Sequence, residues 1–163
     1  MGSGDVLVAE HQGRHLLKFT GDIRVSLCGA LDAHIEKIVS NKCVDDVTID
    51  LLDADGLDST ALGLLAKLSI HCQRDRGFTV KVFCNNVNIL RVFEAMGFHE
   101  IFTISSKASD SKMNAMLEVL EINSLPMSEI RHQVLDAHQT LAKLNPANDR
   151  EFGDLIAALK SDH

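Results

Sequence analysis

The amino-acid sequence predicts an α/β fold in which a mixed, mostly parallel sheet is covered by helices and followed by an α-helical tail. Three observations carry this expectation. Through residue 104, short apolar runs rich in β-branched residues alternate with amphipathic stretches of roughly 10 to 16 residues, the order that builds strand–helix–strand units. Beyond residue 104 no strand-like run follows, and apolar residues recur only at helical spacing. Aromatic residues are 4% of the 163, all seven of them Phe, so the core is mostly aliphatic and suited to layered packing.

The elements follow in order. Val6 and Val8 alternate before His11-Gln12-Gly13-Arg14, and His15, Leu17 and Phe19 alternate after it, which predicts two strands joined through a Gly-containing turn. After Gly21, Leu27, Leu31, Ile35, Ile38 and Val39 form a helical stripe, with Ser26 as the expected N-cap and an end near Asn41. Residues 47–52 are β-branched and apolar and read as a buried strand, delivering the chain into a solvated acidic turn, Asp53-Ala54-Asp55-Gly56-Leu57-Asp58. From Ser59, the residues Leu62, Leu65, Ala66, Ser69 and Cys72 mark a helix that stops at Arg76-Gly77. Residues 78–84 read as a strand. Asn86 then caps a helix carrying Ile89, Leu90, Phe93 and Met96 up to Gly97, and residues 101–104 form a last short strand.

These readings give one domain at residues 1–104, a small polar linker at 105–112 and a helical extension at 113–163. Three helices are expected in the extension: a short stripe of Met113, Met116, Leu117 and Leu120, a longer one of Ile130, Val134, Ala137, Leu141 and Leu144, and a third of Phe152, Leu155, Ile156 and Leu159. Breaks fall at residues 123–126 and at Asn145-Pro146, and Asn148 with Glu151 has capping-box spacing. Such narrow stripes do not bury three helices by themselves. The tail therefore docks: on its own sheet domain, on a second copy as a homodimer, or as a helix offered to another protein. Covering the surface around Ser59 is one such arrangement.

Charge and composition narrow the function. Lys and Arg number 16 against 23 Asp and Glu, a net charge of −7, split as 10 against 14 through residue 104 and 6 against 9 beyond it. An acidic surface repels phosphate backbones and anionic lipid, which excludes nucleic acid and membrane as expected direct partners. No apolar run approaches the roughly 20 residues of a membrane helix, and the N-terminus lacks a secretory pattern, so a cytoplasmic protein is expected. Cys28, Cys43, Cys72 and Cys84 form no CxxC pair and read as reduced, mostly buried thiols. The eight histidines show no HExxH or Cys/His ligand spacing, residues 53–58 lack the EF-hand pattern, and there is no GxxxxGK[ST] or GxGxxG, so neither a metal nor a cofactor is expected. Ser59 lacks a GxSxG setting and no base stands near it in sequence. His71 and Cys72 are consecutive on a helix and point about 100 degrees apart. No catalytic residues are expected.

The informative segment is Leu57-Asp58-Ser59-Thr60-Ala61-Leu62-Gly63-Leu64-Leu65, where a buried strand gives way to a helix. At that position the Ser59 hydroxyl either caps the helix or receives a phosphoryl group beside the helix's free N–H groups. A phosphate would add about −1.5 to −2 charges near Asp53, Asp55 and Asp58, so its effect is largest at an interface formed by this surface.

Over residues 5–104 the chain resembles the STAS domain family of anti-sigma-factor antagonists. The resemblance is carried by the hairpin, the first helix, the buried strand, the DSTALGLL helix start, the FTVKVFCN strand and the NILRVFEAMGFHEIFTI ending. It implies that Ser59, directly after Asp58, is the residue a partner serine kinase phosphorylates, with Thr60 a less favoured acceptor. It implies a partner-binding surface of Asp55, Gly56, Asp58, Ser59, Thr60 and Gly63. The unmodified protein would bind an anti-sigma factor with a kinase fold and so free a sigma factor; phosphorylation would release that partner until a cognate phosphatase acts. The alternative is a non-switching STAS subunit of a transport or other multiprotein complex. Ala61 stands where many members carry Gly, and the helical tail lies outside the usual domain.

Overall fold

The computed structural model describes residues 4–107, 111–122 and 125–161. β1 (Asp5–His11) and β2 (Arg14–Ile23) form the expected hairpin, paired from Asp5 opposite Thr20 to His11 opposite Arg14. Its two-residue reversal needs left-handed backbone at Gln12 (φ 51°) and Gly13 (φ 82°). A Cβ on residue 13 would also strike the Cys43 carbonyl oxygen. α1 (Val25–Ser40) follows, but Ser26 is not its cap. The helix opens two residues earlier, on Arg24, with Leu27 N–H donating to the Arg24 carbonyl, and no side chain caps it.

β3 (Asp46–Leu57) has 12 residues and runs well past the expected strand at 47–52. The acidic segment expected as a turn stays paired with β2 as far as Leu57 opposite Ile23, through two register shifts. Its letters already alternate, with Asp53 and Asp55 exposed and Ala54 buried. The carboxylates are thus the outward side chains of a bulged strand, and Asp53 meets Lys18 of β2 at 3.1 Å. α2 (Ser59–His71) passes into a π-helical turn, Cys72–Arg76, and stops on left-handed Gly77 as the sequence requires. β4 (Val80–Phe83), α3 (Val87–Met96) and β5 (Phe102–Ser105) complete the expected order, with Asn86 Oδ1 accepting from the N–H groups of Asn88 and Ile89.

The tail corrects the expectation of three helices without a strand. Residues 113–120 form no extended helix: one turn, α4 (Ser111–Asn114), is followed by β6 (Glu118–Val119), antiparallel to β1. The exposed edge of β1 offers unpaired backbone groups, and Leu120 N–H takes the Val6 carbonyl at 2.8 Å. Met113 seats with Ala9 and Leu16 as a small second cluster. α5 (Met127–Ala142) and α6 (Pro146–Ser161) are the two long tail helices. Asn148 does not open α6. Asn145 does, accepting from Asn148 N–H at 2.8 Å with Pro146 at the first helical position. Linker residues 108–110 and the start of the expected break at 123–124 lie outside the described residues.

The sheet order is β5-β4-β3-β2-β1-β6, parallel from β2 to β5 and antiparallel at β1 and β6. The main core joins Leu17, Phe19 and Ile23 of β2 and Val47, Ile49 and Leu51 of β3 to the inner faces of α1 and α2. Leu141 of α5 and Phe152 of α6 belong to the same cluster. The tail is docked on its own chain, with α2 packed between α1 and α5.

Candidate functional site

The central strand β3 ends at Leu57 and hands the chain to α2 within one residue. Asp58 N–H is held by the Ile23 carbonyl at 3.0 Å, which fixes the exit from the sheet. Its carboxylate then caps the helix, Oδ1 accepting from Ala61 N–H at 2.9 Å. Ser59 is consequently the first helical residue and its hydroxyl is not spent on capping.

That hydroxyl instead lies 2.7 Å from Nε2 of His138, a residue of α5 that is 79 positions away. The other ring nitrogen, Nδ1, is 2.6 Å from the Val134 carbonyl, which can only accept. A proton therefore sits on Nδ1, and in the neutral imidazole Nε2 accepts from the Ser59 O–H. No base near Ser59 was legible in the sequence; His138 is one in position. The ring is 2% exposed and packed edge-on to Phe152, centroids 5.2 Å apart, while Ser59 itself is half-buried.

The other expected site residues divide by exposure. Asp55 is exposed, while Gly56, Leu57, Leu62, Asn88, Ile89 and Val92 line a shallow recess beside it, between the end of β3 and α3. Thr60 is 4% exposed, so Ser59 is the more accessible of the two hydroxyls. Gly63 is buried under α5: a Cβ there would stand 2.7 Å from the carbonyl carbon and Cβ of Ala137. Asp58 and Ser59 are half-buried at the boundary.

Two further groups fasten α5 and α6 to this site. Lys67 of α2 reaches Asp32 (3.3 Å) and Glu36 (2.8 Å) of α1 and Asp136 (3.4 Å) of α5. Burial by itself would lower its ammonium, but the Glu36 hydrogen bond and the three carboxylates outweigh that and raise it. Asn148 Nδ2 donates to the Met96 carbonyl at the end of α3 (3.0 Å) and to the Leu141 carbonyl near the end of α5 (2.9 Å), beside the bonds these helix-end acceptors take from Asn145 Nδ2 (3.2 Å) and Leu144 N–H (3.1 Å). The missed residues, Ala137, His138 and Asn148, had only a faint signal. His138 is four positions after Val134 and three before Leu141, on the apolar stripe of α5, where an imidazole marks a buried polar contact.

The thiols are those of a core. Burial pushes Cys28 up to about 12, with the charges of Asp58 and Asp32 adding to it. Burial takes Cys72 up to about 11 against the opposing charge of Arg76, and also raises Cys84. Cys43 alone of the four is exposed. Among the described residues, no group of three or more His, Cys, Asp or Glu is arranged to hold a metal, and no helix is long and apolar enough to cross a membrane.

Comparison with known proteins places this geometry. The sequence profile of the STAS domain matches residues 6–111, a range that ends before α5. Among solved structures, the anti-sigma factor antagonist SpoIIAA in its unphosphorylated form superposes with a TM-score of 0.54 at 11% identity, covering 67% of this chain and 93% of that one. An anti-sigma factor antagonist from Mycobacterium paratuberculosis gives 0.53 at 24% identity, covering 70% and 94%. The phosphorylated Bacillus SpoIIAA gives 0.52 at 11% identity, covering 68% and 96%. At these identities the likeness is one of fold. No curated protein matches the chain significantly.

Proposed function

The chain belongs to the STAS domain family, and from that premise we propose that it is an anti-sigma-factor antagonist, a protein-binding module switched by phosphorylation of Ser59. In this reading the unmodified protein sequesters an anti-sigma factor in the cytoplasm, and the phosphorylated protein releases it. The surface runs from Asp55 and Gly56 through Asp58, Ser59 and Thr60 to Gly63. The module is not an enzyme: the chemistry on Ser59 is done by a partner serine kinase and reversed by a cognate phosphatase. In the forward step the Ser59 oxygen forms a bond to the γ-phosphorus of a nucleoside triphosphate held by the kinase. The bond to the β–γ bridging oxygen breaks, the nucleoside diphosphate leaves and the hydroxyl proton passes to a base.

One observation carries the reading. Ser59 is the first residue of α2 at the end of the central strand, and Asp58 caps the helix in its place, so the Ser59 hydroxyl is not tied to the helix's own N–H groups and bonds His138 instead. A phosphoryl group there would stand at the positive end of a helix yet beside exposed Asp55 and half-buried Asp58, so the charge of this face would change sharply on modification. The fold likeness to an antagonist solved in phosphorylated and unphosphorylated forms supports the same assignment.

Affinity capture with the full chain tests it. Ser59→Ala is expected to retain an anti-sigma factor that Ser59→Asp retains about ten-fold less well or not at all, with the captured proteins identified by mass spectrometry. Equal capture of the same partner by both variants would mean a non-switching subunit instead.

A further inference from the structure

The face of α2 that carries the proposed switch is already occupied. Three consecutive residues of α5 engage it: Asp136 pairs with Lys67 at 3.4 Å, Ala137 lies against Gly63 and His138 accepts from Ser59. The Gly63 contact leaves no space, since Cβ atoms essentially never approach other heavy atoms to under 3.0 Å and a Cβ on residue 63 would strike the Ala137 carbonyl oxygen and stand 2.7 Å from the Ala137 Cβ. The Ser59 contact is a direct hydrogen bond of 2.7 Å between Oγ and Nε2, and a phosphoryl group on Oγ removes the hydroxyl hydrogen that makes it.

The geometry points to α5, braced by α6, as an intramolecular lid that competes with the protein partner and the kinase for this face, with Ser59–His138 as its latch. This rests on Ser59 being the switch residue. While Ser59 is unmodified the latch closes, and the partner binds only the fraction of molecules in which α5 has lifted, which weakens its apparent affinity by that fraction. The kinase likewise reaches the Ser59 oxygen only in the lifted form. Once Ser59 is phosphorylated the latch cannot re-form, so the lid stays off. α5 is suited to lifting: of its 16 residues only Ala137, His138 and Leu141 are buried, and its docking combines a few polar contacts with a small apolar seam. The family profile ends at residue 111, so the lid is an addition to the STAS domain rather than part of it.

Hydrogen exchange read by mass spectrometry on the full chain tests the lid without any partner. Three proteins are compared with wild type: one carrying phosphoserine at position 59, Gly63→Ala, and His138→Leu, which removes the acceptor and keeps an apolar side chain. In each, amides of residues 127–142 are expected to exchange about ten-fold faster or more, while those of β2 and β3 are unchanged. Unchanged protection of residues 127–142 in the phosphoserine protein overturns the lid. If a substitution loosens β2 and β3 as well, it has disturbed the core, and the phosphoserine protein decides. The two proposals fail separately. Protected α5 with Ser59→Ala and Ser59→Asp still sorting a partner removes the lid and keeps the switch; released α5 with both variants holding the same partner removes the switch and keeps the lid.

Discussion

α2 and α5 lie against each other and are held by opposite means. α2 buries nine of its 13 residues, from Thr60 to Ser69, between the sheet, α1 and α5. α5 buries three of 16 and relies on the Ser59 latch, the Lys67 ion cluster and the Asn148 clasp. A helix buried on nearly all sides is lost only when the domain unfolds. A helix held by one seam and a few polar contacts can detach while the sheet remains intact. The molecule thus carries a rigid platform and a removable cover on the same surface.

The sharpest test of that contrast truncates a side chain in each helix system. Leu65 of α2 is fully buried, and Leu65→Ala is expected to destabilise the whole chain by about 3 kcal/mol, seen as one cooperative shift in urea denaturation. Asn148→Ala should cost less, about 1 kcal/mol, by removing one of the two donors from each of the Met96 and Leu141 carbonyls. That loss should appear as a low-concentration step in a probe on α5 and α6, with the main transition unmoved. One shared transition for both variants would break the comparison and show that the tail unfolds only together with the sheet.

The smallest effect concerns acid. Both ring nitrogens of His15 and Nε2 of His34 are buried without a hydrogen-bond partner. Burial lowers His15 against the opposing charge of Glu10, and burial, with the charges of His15 and Lys37, pushes His34 down to about 4. Because the unfolded chain binds these protons at the ordinary histidine value near 6.5, stability is full above that pH and falls as pH drops toward 4. The loss is expected to be about 1 kcal/mol or less after solvent screening. Denaturation midpoints at pH 7.5 and 5 should show it, and His34→Gln should reduce the difference while leaving α5 exchange unaltered.

Much of the platform was legible in the sequence, because its signals are local. Asn86 and Gly97 bracket α3, and Gly77 ends the helical run begun at Ser59, each for a backbone reason carried by one residue type. The same logic did not choose where two residues close in sequence offer one chemistry. Asp58 rather than Ser59 caps α2, and Asn145 rather than Asn148 opens α6. It failed at residues 53–57 and 118–119, where pairing to β2 and β1 decided strand over turn or helix.

The sequence by itself determined the order of the principal strands and helices, the aliphatic core and the place of Ser59 at the start of α2, since periodicity and turn chemistry act within a few residues. Only the tertiary structure decided that α5 covers α2, that Ala137 meets Gly63 and that His138 meets Ser59 from 79 residues away. An apolar stripe states that a helix must be covered. It does not state by what, because that choice depends on shape and hydrogen-bond complementarity between segments that have no fixed relation until the chain has folded.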